Sequence, residues 1–327
     1  MPRKARLDAP GALHHIIVRG INKAPIFKDD QDKTRFLERL AENVLDGACA
    51  VHAWVLMTNH VHMLFKSGKD GISAVMRKQL TWYAQYYNRR HKRTGHLFEN
   101  RYKSILCDEE TYLLALIRYI HLNPIRAKII QTMEELDRYP WTGHRAIIGK
   151  KNPPWMDIDA CLTEFGGTRK KAISEYRRFV RQGIKEGRDP SLTGGGLVRS
   201  QGGWSQVVAM RRRGQKEEYD ERILGGGDFV TAVFKEAEDR QLRQTKHKRS
   251  GQTIQKIIDA ECKNRQINER ELKAGGKRQC VSAARAVIAC RCREELGSSA
   301  AEIARHVGVN TSSIVRSIER RETRKGE

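Results

Sequence analysis

Two histidines separated by one residue, His60 and His62, form the pattern with the most evident chemical potential in this sequence. In a β-strand, residues i and i+2 point to the same face, so two imidazoles at this spacing could bind one metal ion. Two imidazoles leave a metal site incomplete, and a third ligand must come from another element of the fold. By itself, the H-x-H pattern more often marks two unrelated surface histidines, so the choice between the two interpretations depends on the surrounding sequence.

The surrounding segments predict the elements that position these histidines. Apolar or alternating segments predict strands at 13–20, 50–57, 60–65 and 101–106, and helical patterns occupy about 30–46, 71–93 and 109–122. The last helix is predicted to stop at Asn123, because Pro124 disfavours helical geometry in the residue before it. The order β-α-β-β-α-β-α predicts an α+β fold, with a ferredoxin-like antiparallel sheet carrying helices on one face.

A family resemblance emerges from the segment AWVLMTNHVHMLF, in which an apolar strand, a Thr-Asn turn and the H-x-H strand follow one another. This segment resembles the single-tyrosine HUH transposases, and most closely their REP-associated branch, where proline is common at the position of Thr58. The similarity continues through HHIIVRGINKAPIF (14–27), GHLFENRYKS (95–104) and RYIHLNPIRAKII (118–130). It covers most of residues 10–150, with all segments in the expected order.

The resemblance implies a role for two residues of the 109–122 region. Tyr119 matches the nucleophile, and Asn123, one helical turn later, matches the third polar metal ligand beside the two histidines. A core aromatic in an amphipathic helix is the alternative interpretation of Tyr119. Two other tyrosines are fallback candidates for the nucleophile, Tyr102 and Tyr112. Three further histidines could assist the ligands or contact DNA, His14, His15 and His121.

The implied chemistry is cleavage and rejoining of single-stranded DNA. A phenol with an unperturbed pKa of about 10 is a weak nucleophile until a cation or a base favours its ionised form. The resemblance implies Mg²⁺ or Mn²⁺ as the cation, a covalent 5′-phosphotyrosine link and a free 3′-hydroxyl, with hairpin or repeat sequences as the target. Imidazole ligands by themselves more often indicate zinc, copper, nickel or iron, so the identity of the metal depends on the resemblance.

The charge of the chain predicts a polyanionic partner. Lysine and arginine number 62 against 39 aspartates and glutamates, a net charge of +23, and nucleic acid is the leading candidate. A basic cluster near the end of the 71–93 helix and in the next strand predicts a phosphate-binding surface, formed by Arg89, Arg90, Lys92, Arg93, Arg101 and Lys103. Aromatic residues of that helix could stack bases, but core packing is the preferred interpretation for Trp82, Tyr83, Tyr86 and Tyr87.

The C-terminal segment 281–322 has the pattern of a helix-turn-helix motif, with a predicted helix over Ala300–His306, a Gly308-Val309-Asn310 turn and a helix from about Thr311. It resembles the DNA-binding domain of the replication initiator DnaA. The residues expected to contact duplex DNA are Thr311, Ser312, Ser313 and Arg316. A helical protein-interaction module is the alternative. The predicted domains are a transposase domain at 1–150, a helical adapter or linker region at 151–250 and a helix-turn-helix domain at 251–327.

Composition also bears on location and on competing functions. Seven scattered cysteines without paired spacing indicate reduced thiols, and no apolar run reaches the length of a membrane span, which predicts a cytoplasmic protein. The predicted function is metal-dependent single-stranded DNA cleavage and strand transfer. The alternatives are a non-catalytic, sequence-specific DNA-binding regulator and an RNA-binding protein. Both a monomer and a homodimer remain open.

Overall fold

The computed structural model describes residues 7–8, 11–68, 71–187, 189, 192, 219–276 and 278–323. The chain divides into two compact units, Met1–Thr231 and Ala232–Glu327, here called the N-terminal unit and the C-terminal unit. Each unit has a hydrophobic core of its own, and the two cores share no residue.

The N-terminal unit contains a five-stranded sheet. Its strands are β1 (Leu13–Arg19), β2 (Ala50–Leu56), β3 (His60–Lys66), β4 (Lys103–Cys107) and β5 (Ile223–Leu224). Their spatial order is β2-β3-β1-β4-β5. The four predicted strands and the α+β class are confirmed. The predicted sheet is antiparallel throughout, and the structure differs from it in one pair, because β5 pairs with β4 in parallel. This strand of two residues is too short to give an alternating pattern, and its partner lies more than a hundred residues earlier in the chain.

Both faces of the central strands are buried. His15 and His62 lie on one face, where their rings contact Tyr119. Ile16 and Met63 lie on the opposite face, fully buried in the same core as the apolar residues of the first two helices. The helix that carries Tyr119 lies on the histidine face, and the opposite face is buried as well.

Eight α-helices and one 3₁₀ turn belong to the described part of the N-terminal unit before β5. The 3₁₀ turn is Ile21–Lys23, and the helices are α1 (Asp30–Asp46), α2 (Ser73–Arg90), α3 (Glu109–His121), α4 (Asn123–Arg126), α5 (Met133–Leu136), α6 (His144–Ile147), α7 (Asp159–Thr163) and α8 (Arg169–Lys185). The three long predicted helices, α1 to α3, are confirmed. Helix α1 begins where the Asp29 carboxylate accepts a hydrogen bond from the Asp32 amide, 3.0 Å away.

The described helices between residue 150 and β5 belong to the N-terminal unit, and the predicted adapter or linker region at 151–250 stays a prediction. Helix α8 packs on α3 through Tyr176, whose hydroxyl lies 2.8 Å from Nδ1 of His121. Gly183 of α8 leaves no room for a Cβ, which would lie 2.6 Å from Arg118 and 2.9 Å from Leu122. Close approach of the two helices therefore requires glycine at this position.

The C-terminal unit is helical. Helix α9 (Gly227–Arg249) contains the boundary between the units, and it is followed by α10 (Ile254–Asn264), α11 (Glu269–Lys273), α12 (Gln279–Leu296), α13 (Ala300–Val307) and α14 (Thr311–Thr323). Helix α13 ends at Gly308, whose φ of 68° is the left-handed geometry that glycine adopts without strain. Ile303, Ile314 and Ile318 of the last two helices are buried in the core of this unit.

None of the described helices is long and apolar enough to cross a membrane.

Candidate active site

Strand β3 places His60 and His62 side by side, as the alternation of side chains in a strand predicts. Their ring centroids are 5.1 Å apart, and they lie opposite Arg19 and Ile17 of β1. His62 is buried and His60 half-buried. In each ring, Nδ1 faces a protein atom: Asn59 Oδ1 at 2.7 Å for His60 and His15 Nε2 at 2.9 Å for His62.

Helix α3 brings Tyr119 against these histidines. The Tyr119 ring centroid lies 5.9 Å from that of His62 and 6.0 Å from that of His15, both in edge-on geometry. The guanidinium of Arg126 lies over the same ring, 5.1 Å from its centroid. Only 2 % of the Tyr119 surface is exposed, so this aromatic is packed within the site rather than presented at its surface.

The break between α3 and α4 orients Asn123. Pro124 has no backbone N–H to donate to the carbonyl of Ile120, four residues earlier. The Asn123 side chain supplies donors instead, because its Nδ2 lies 3.3 Å from the Ile120 carbonyl and 2.9 Å from the Tyr119 carbonyl. Within the described residues, its Oδ1 accepts no hydrogen bond, and the side chain lines the cleft that the two histidines line. The predicted one-turn spacing from Tyr119 is therefore realised across a helix break.

This cleft has a volume of about 560 Å³ and is strongly basic. Two of its arginines were not singled out in the sequence, Arg19 and Arg126. The complete lining is Ile17, Arg19, Met57, His60, His62, Glu99, Asn100, Arg101, Lys103, Asn123, Arg126 and Ala127. Tyr119 is not among these residues, although it contacts His62 directly behind the cleft wall.

The ligand set suits a divalent cation. In the described part of the chain, no three His, Cys, Asp or Glu side chains form a group that could hold a metal ion, so the predicted site would take the amide oxygen of Asn123 as its third ligand. Because Nδ1 of both histidines faces a protein atom, each ring would bind a cation through Nε2. Two imidazole nitrogens and one amide oxygen leave coordination positions for substrate oxygens, as catalytic sites require.

The family to which this part of the chain corresponds follows from a sequence comparison. Residues 10–123 match the model of the IS200-like transposases, which are of the single-tyrosine type. This region is therefore similar to that transposase family. The match includes every proposed ligand and Tyr119.

One solved structure is similar to part of this chain, a REP-associated tyrosine transposase bound to a REP hairpin. Its sequence identity is 14 %, its TM-score is 0.38, and the alignment covers 52 % of this chain and 93 % of the other. The sequence has no match among curated proteins.

The basic residues predicted to bind DNA in the N-terminal unit occupy two different environments. Arg101 and Lys103 line the cleft and are exposed. Arg90, by contrast, pairs with Asp29 at 2.7 Å and with the buried Asp32 at 2.5 Å. Arg93 donates to the His96 carbonyl, 2.7 Å away.

The remaining two members of that predicted cluster, Arg89 and Lys92, are exposed and lie outside the cleft lining. Arg90 and Arg93 hold the end of α2 in place. The cleft, by contrast, offers Arg101 and Lys103 directly to a ligand.

The aromatic residues of α2 belong to the core in two cases. The Tyr83 and Tyr87 hydroxyls donate to the carbonyls of Ile26 and Pro25, and both rings are buried. Trp82 and Tyr86 are half-buried and stacked, with centroids 5.4 Å apart. The preferred core interpretation therefore fits Tyr83 and Tyr87 best.

The fallback tyrosines and the auxiliary histidines differ in their positions relative to the proposed ligands. The Tyr102 hydroxyl lies 3.3 Å from Ser73 Oγ, away from the ligands, and Tyr112 is half-buried two turns before Tyr119. His14 faces Ser104 on the opposite side of the sheet from the ligands. Of the three auxiliary histidines, His15 alone contacts a proposed ligand. Burial lowers the pKa of His15 to about 4, so its imidazole is neutral at physiological pH.

His121 joins a buried network behind α3. Its Nδ1 and that of His144 lie 2.8 and 2.9 Å from the Tyr176 hydroxyl, and Nε2 of His144 lies 2.9 Å from Asp137. Burial holds the pKa of both histidines below the usual range. This network ties the helix that carries Tyr119 to α8 and has no access to the cleft.

In the C-terminal unit, the residues predicted to contact duplex DNA begin α14. Thr311, Ser312 and Arg316 are exposed and Ser313 is half-buried. The Asn310 side chain caps this helix by accepting from the Ser313 amide at 2.8 Å. The two helices and their turn have the predicted bounds, and the role in DNA binding stays a prediction.

Proposed function

We propose that the protein is a transposase that cleaves single-stranded DNA and transfers strands through a covalent 5′-phosphotyrosine at Tyr119, with a divalent cation held by His60, His62 and Asn123. The observation that carries this proposal is that one basic cleft is lined by all three ligand side chains, with Tyr119 in contact with one of them. When bound, Mg²⁺ or Mn²⁺ would polarise the scissile phosphate and offset its developing charge.

The strand would lie in the cleft with its phosphates beside the basic lining. Arg19, Arg101, Lys103 and Arg126 supply four positive charges there, against one carboxylate from Glu99. Phosphate contacts of this kind hold a strand in register without reading its sequence. We infer that sequence or hairpin recognition resides in other contacts, in keeping with the resemblance to transposases that act at hairpin or repeat sequences.

Strand cleavage would proceed by attack of the Tyr119 phenolate oxygen on phosphorus. The bond from phosphorus to the 3′-oxygen breaks, the phenolic proton passes to solvent and the departing strand ends in a 3′-hydroxyl. A second 3′-hydroxyl can then attack the phosphotyrosine and regenerate the phenol, so rejoining needs no ATP. Because only 2 % of Tyr119 is exposed, the ring must leave its packing against His15 and His62 before a phosphate can reach it.

The test is adduct formation on labelled hairpin-bearing single-stranded DNA, resolved by denaturing electrophoresis. The full-length protein should give an adduct with Mg²⁺ or Mn²⁺, and none with EDTA. Tyr119→Phe should abolish the adduct, while the matched control Tyr112→Phe, on the same helix, should retain it. Loss of the adduct in Tyr112→Phe alone would move the nucleophile to Tyr112.

A non-catalytic DNA-binding regulator is the second candidate, and the burial of Tyr119 is the observation that favours it. A protein of this kind would bind the same DNA but form no adduct with either cation. Tyr119→Phe would then leave DNA binding unchanged and remove no activity. Detection of a metal-dependent adduct would eliminate this candidate.

We further propose that the C-terminal unit binds duplex DNA through the start of α14. Support comes from the exposure of Thr311, Ser312 and Arg316 on one short helical segment, whose other face is buried through Ile314 and Ile318. Short polar side chains followed by arginine suit contacts to base edges and phosphates in the major groove.

A further inference from the structure

A chain of side chains runs behind the proposed ligand His62. His15 on β1 is fully buried, and its two ring nitrogens face different partners. Nδ1 lies 3.0 Å from the backbone carbonyl oxygen of Leu192, and Nε2 lies 2.9 Å from Nδ1 of His62. Antiparallel pairing of β1 with β3 brings the two histidines to the same face of the sheet.

The partners fix the direction of each hydrogen bond. A carbonyl oxygen only accepts, so Nδ1 of His15 carries the proton and donates to Leu192. A neutral imidazole has one N–H, so Nε2 of His15 is left as an acceptor. The hydrogen bond between the rings then requires that Nδ1 of His62 donates, and the lone pair of His62 is placed on Nε2.

We propose that His15 is a positioning residue that holds His62 in the tautomer with its lone pair on Nε2, the nitrogen through which His62 would bind a cation. This inference rests on the proposed function, because it takes His62 to be a metal ligand. The role is indirect: His15 contacts neither the cleft nor the substrate, and it acts through the orientation and tautomer of His62.

The second histidine ligand has a parallel arrangement, which supports the inference. Asn59 Nδ2 donates to the Lys23 carbonyl at 2.9 Å, so Asn59 turns its Oδ1 to His60. That oxygen accepts from Nδ1 of His60, which again places the lone pair on Nε2. Both proposed ligands are therefore set in the same tautomer, each by a side chain anchored on a backbone carbonyl.

The tautomer is measurable in the wild-type chain without any metal. Long-range ¹H–¹⁵N correlation spectra of the full-length protein, labelled with ¹⁵N-histidine at neutral pH, distinguish protonated Nδ1 from protonated Nε2. We expect His62 to be protonated at Nδ1 and His15 also at Nδ1. A His62 signal with its proton on Nε2 would overturn the proposal.

Three variants test the consequence for metal binding. His15→Phe keeps a buried ring but removes the acceptor, and we expect Mn²⁺ affinity, measured by electron paramagnetic resonance of free Mn²⁺, to fall by about 10- to 100-fold. His15→Gln can still present an oxygen to His62 and should restore most of the affinity. The matched control is His14→Phe, an equally buried neighbour on the opposite face, which should bind Mn²⁺ as the wild type does.

His62→Ala separates this inference from the proposed function. If His62→Ala and wild type bind Mn²⁺ equally, the metal assignment fails. The tautomer spectrum still tests whether His15 sets the tautomer of His62. If His62→Ala loses Mn²⁺ binding and His15→Phe does not, the metal assignment stands and the role of His15 is overturned. If His15→Phe does not fold, His15→Gln and the wild-type spectrum still decide the question.

Discussion

At the scale of single residues, the positive charges that line the cleft can contact a phosphate, whereas exposed charges elsewhere on the surface attract DNA only at long range. Arg101 is exposed and lines the cleft, whereas Arg89 is exposed outside its lining. Either substitution by alanine removes one positive charge from the surface, so the long-range attraction to DNA changes by the same amount. A difference between the two variants therefore reports direct contact.

We expect Arg101→Ala to weaken single-stranded DNA binding and Arg89→Ala to leave it nearly unchanged. Loss of one phosphate contact should also reduce the slope of log affinity against log salt by about 0.7 for a single strand. Fluorescence anisotropy titrations at several salt concentrations measure both quantities. Equal losses in the two variants would show that the strand does not follow the cleft.

Sequence reasoning found residues with local patterns and missed isolated ones. The spacing of His60 and His62 could be read directly, and Tyr119 and Asn123 followed from the family resemblance. Arg19 and Arg126 were not singled out, because a lone arginine on a strand or after a helix has no distinguishing neighbours. The link from His15 to His62 crosses 47 positions and depends on strand register, which only the three-dimensional structure specifies.

At the scale of elements, the position of Tyr119 depends on how α3 is held. The Tyr176 hydroxyl of α8 joins two buried histidines, His121 and His144. Since Nε2 of His144 donates to the Asp137 carboxylate, Nδ1 of His144 accepts from Tyr176, and the same hydroxyl oxygen accepts from Nδ1 of His121. One hydroxyl thus satisfies two buried nitrogens.

Tyr176→Phe should lower the free energy of unfolding of the N-terminal unit by about 1–3 kcal/mol, because it leaves two buried polar atoms without a partner. All five tryptophans of the chain precede residue 232, so urea titration followed by tryptophan fluorescence reports on this unit. The control is Tyr86→Phe, since the Tyr86 hydroxyl is buried with no hydrogen-bond partner among the described residues. Equal destabilisation by both substitutions would contradict this account of the network.

The elements themselves were largely predictable. Four strands and three long helices have amphipathic or apolar patterns long enough to identify. Strand β5 and the packing of α8 on α3 were not predictable, because each depends on a partner distant in sequence. The Asn123-Pro124 pair correctly marked the end of α3, but α4 follows at once because proline fits the first turn of a helix.

At the scale of the whole molecule, two separate cores allow two separable activities. The sheet and its helices form one core, and α10 to α14 form another. Substitution of an exposed residue in the second unit leaves the residues of the first core untouched. Duplex binding and strand cleavage should therefore respond to different substitutions.

Arg316→Ala is expected to weaken duplex binding by about 1–3 kcal/mol if its side chain reads a base edge. Adduct formation on a short single-stranded hairpin substrate should remain at the wild-type level. Arg270→Ala, an exposed arginine on α11, is the control of equal charge. Electrophoretic mobility shifts with duplex DNA and the adduct assay measure the two activities, and wild-type duplex affinity in Arg316→Ala would argue against α14 as the binding helix.

The Asn123-Pro124 break also constrains which amino acids the site can accept. A carboxylate at position 123 would attract a divalent cation more strongly than an amide does. A carboxylate has no N–H, however, and the carbonyl of Ile120, deprived of a backbone donor by Pro124, would lose its hydrogen bond. The backbone thus favours asparagine, the weaker of the two possible ligands for the proposed cation, and aspartate at this position would become tolerable only together with replacement of the proline.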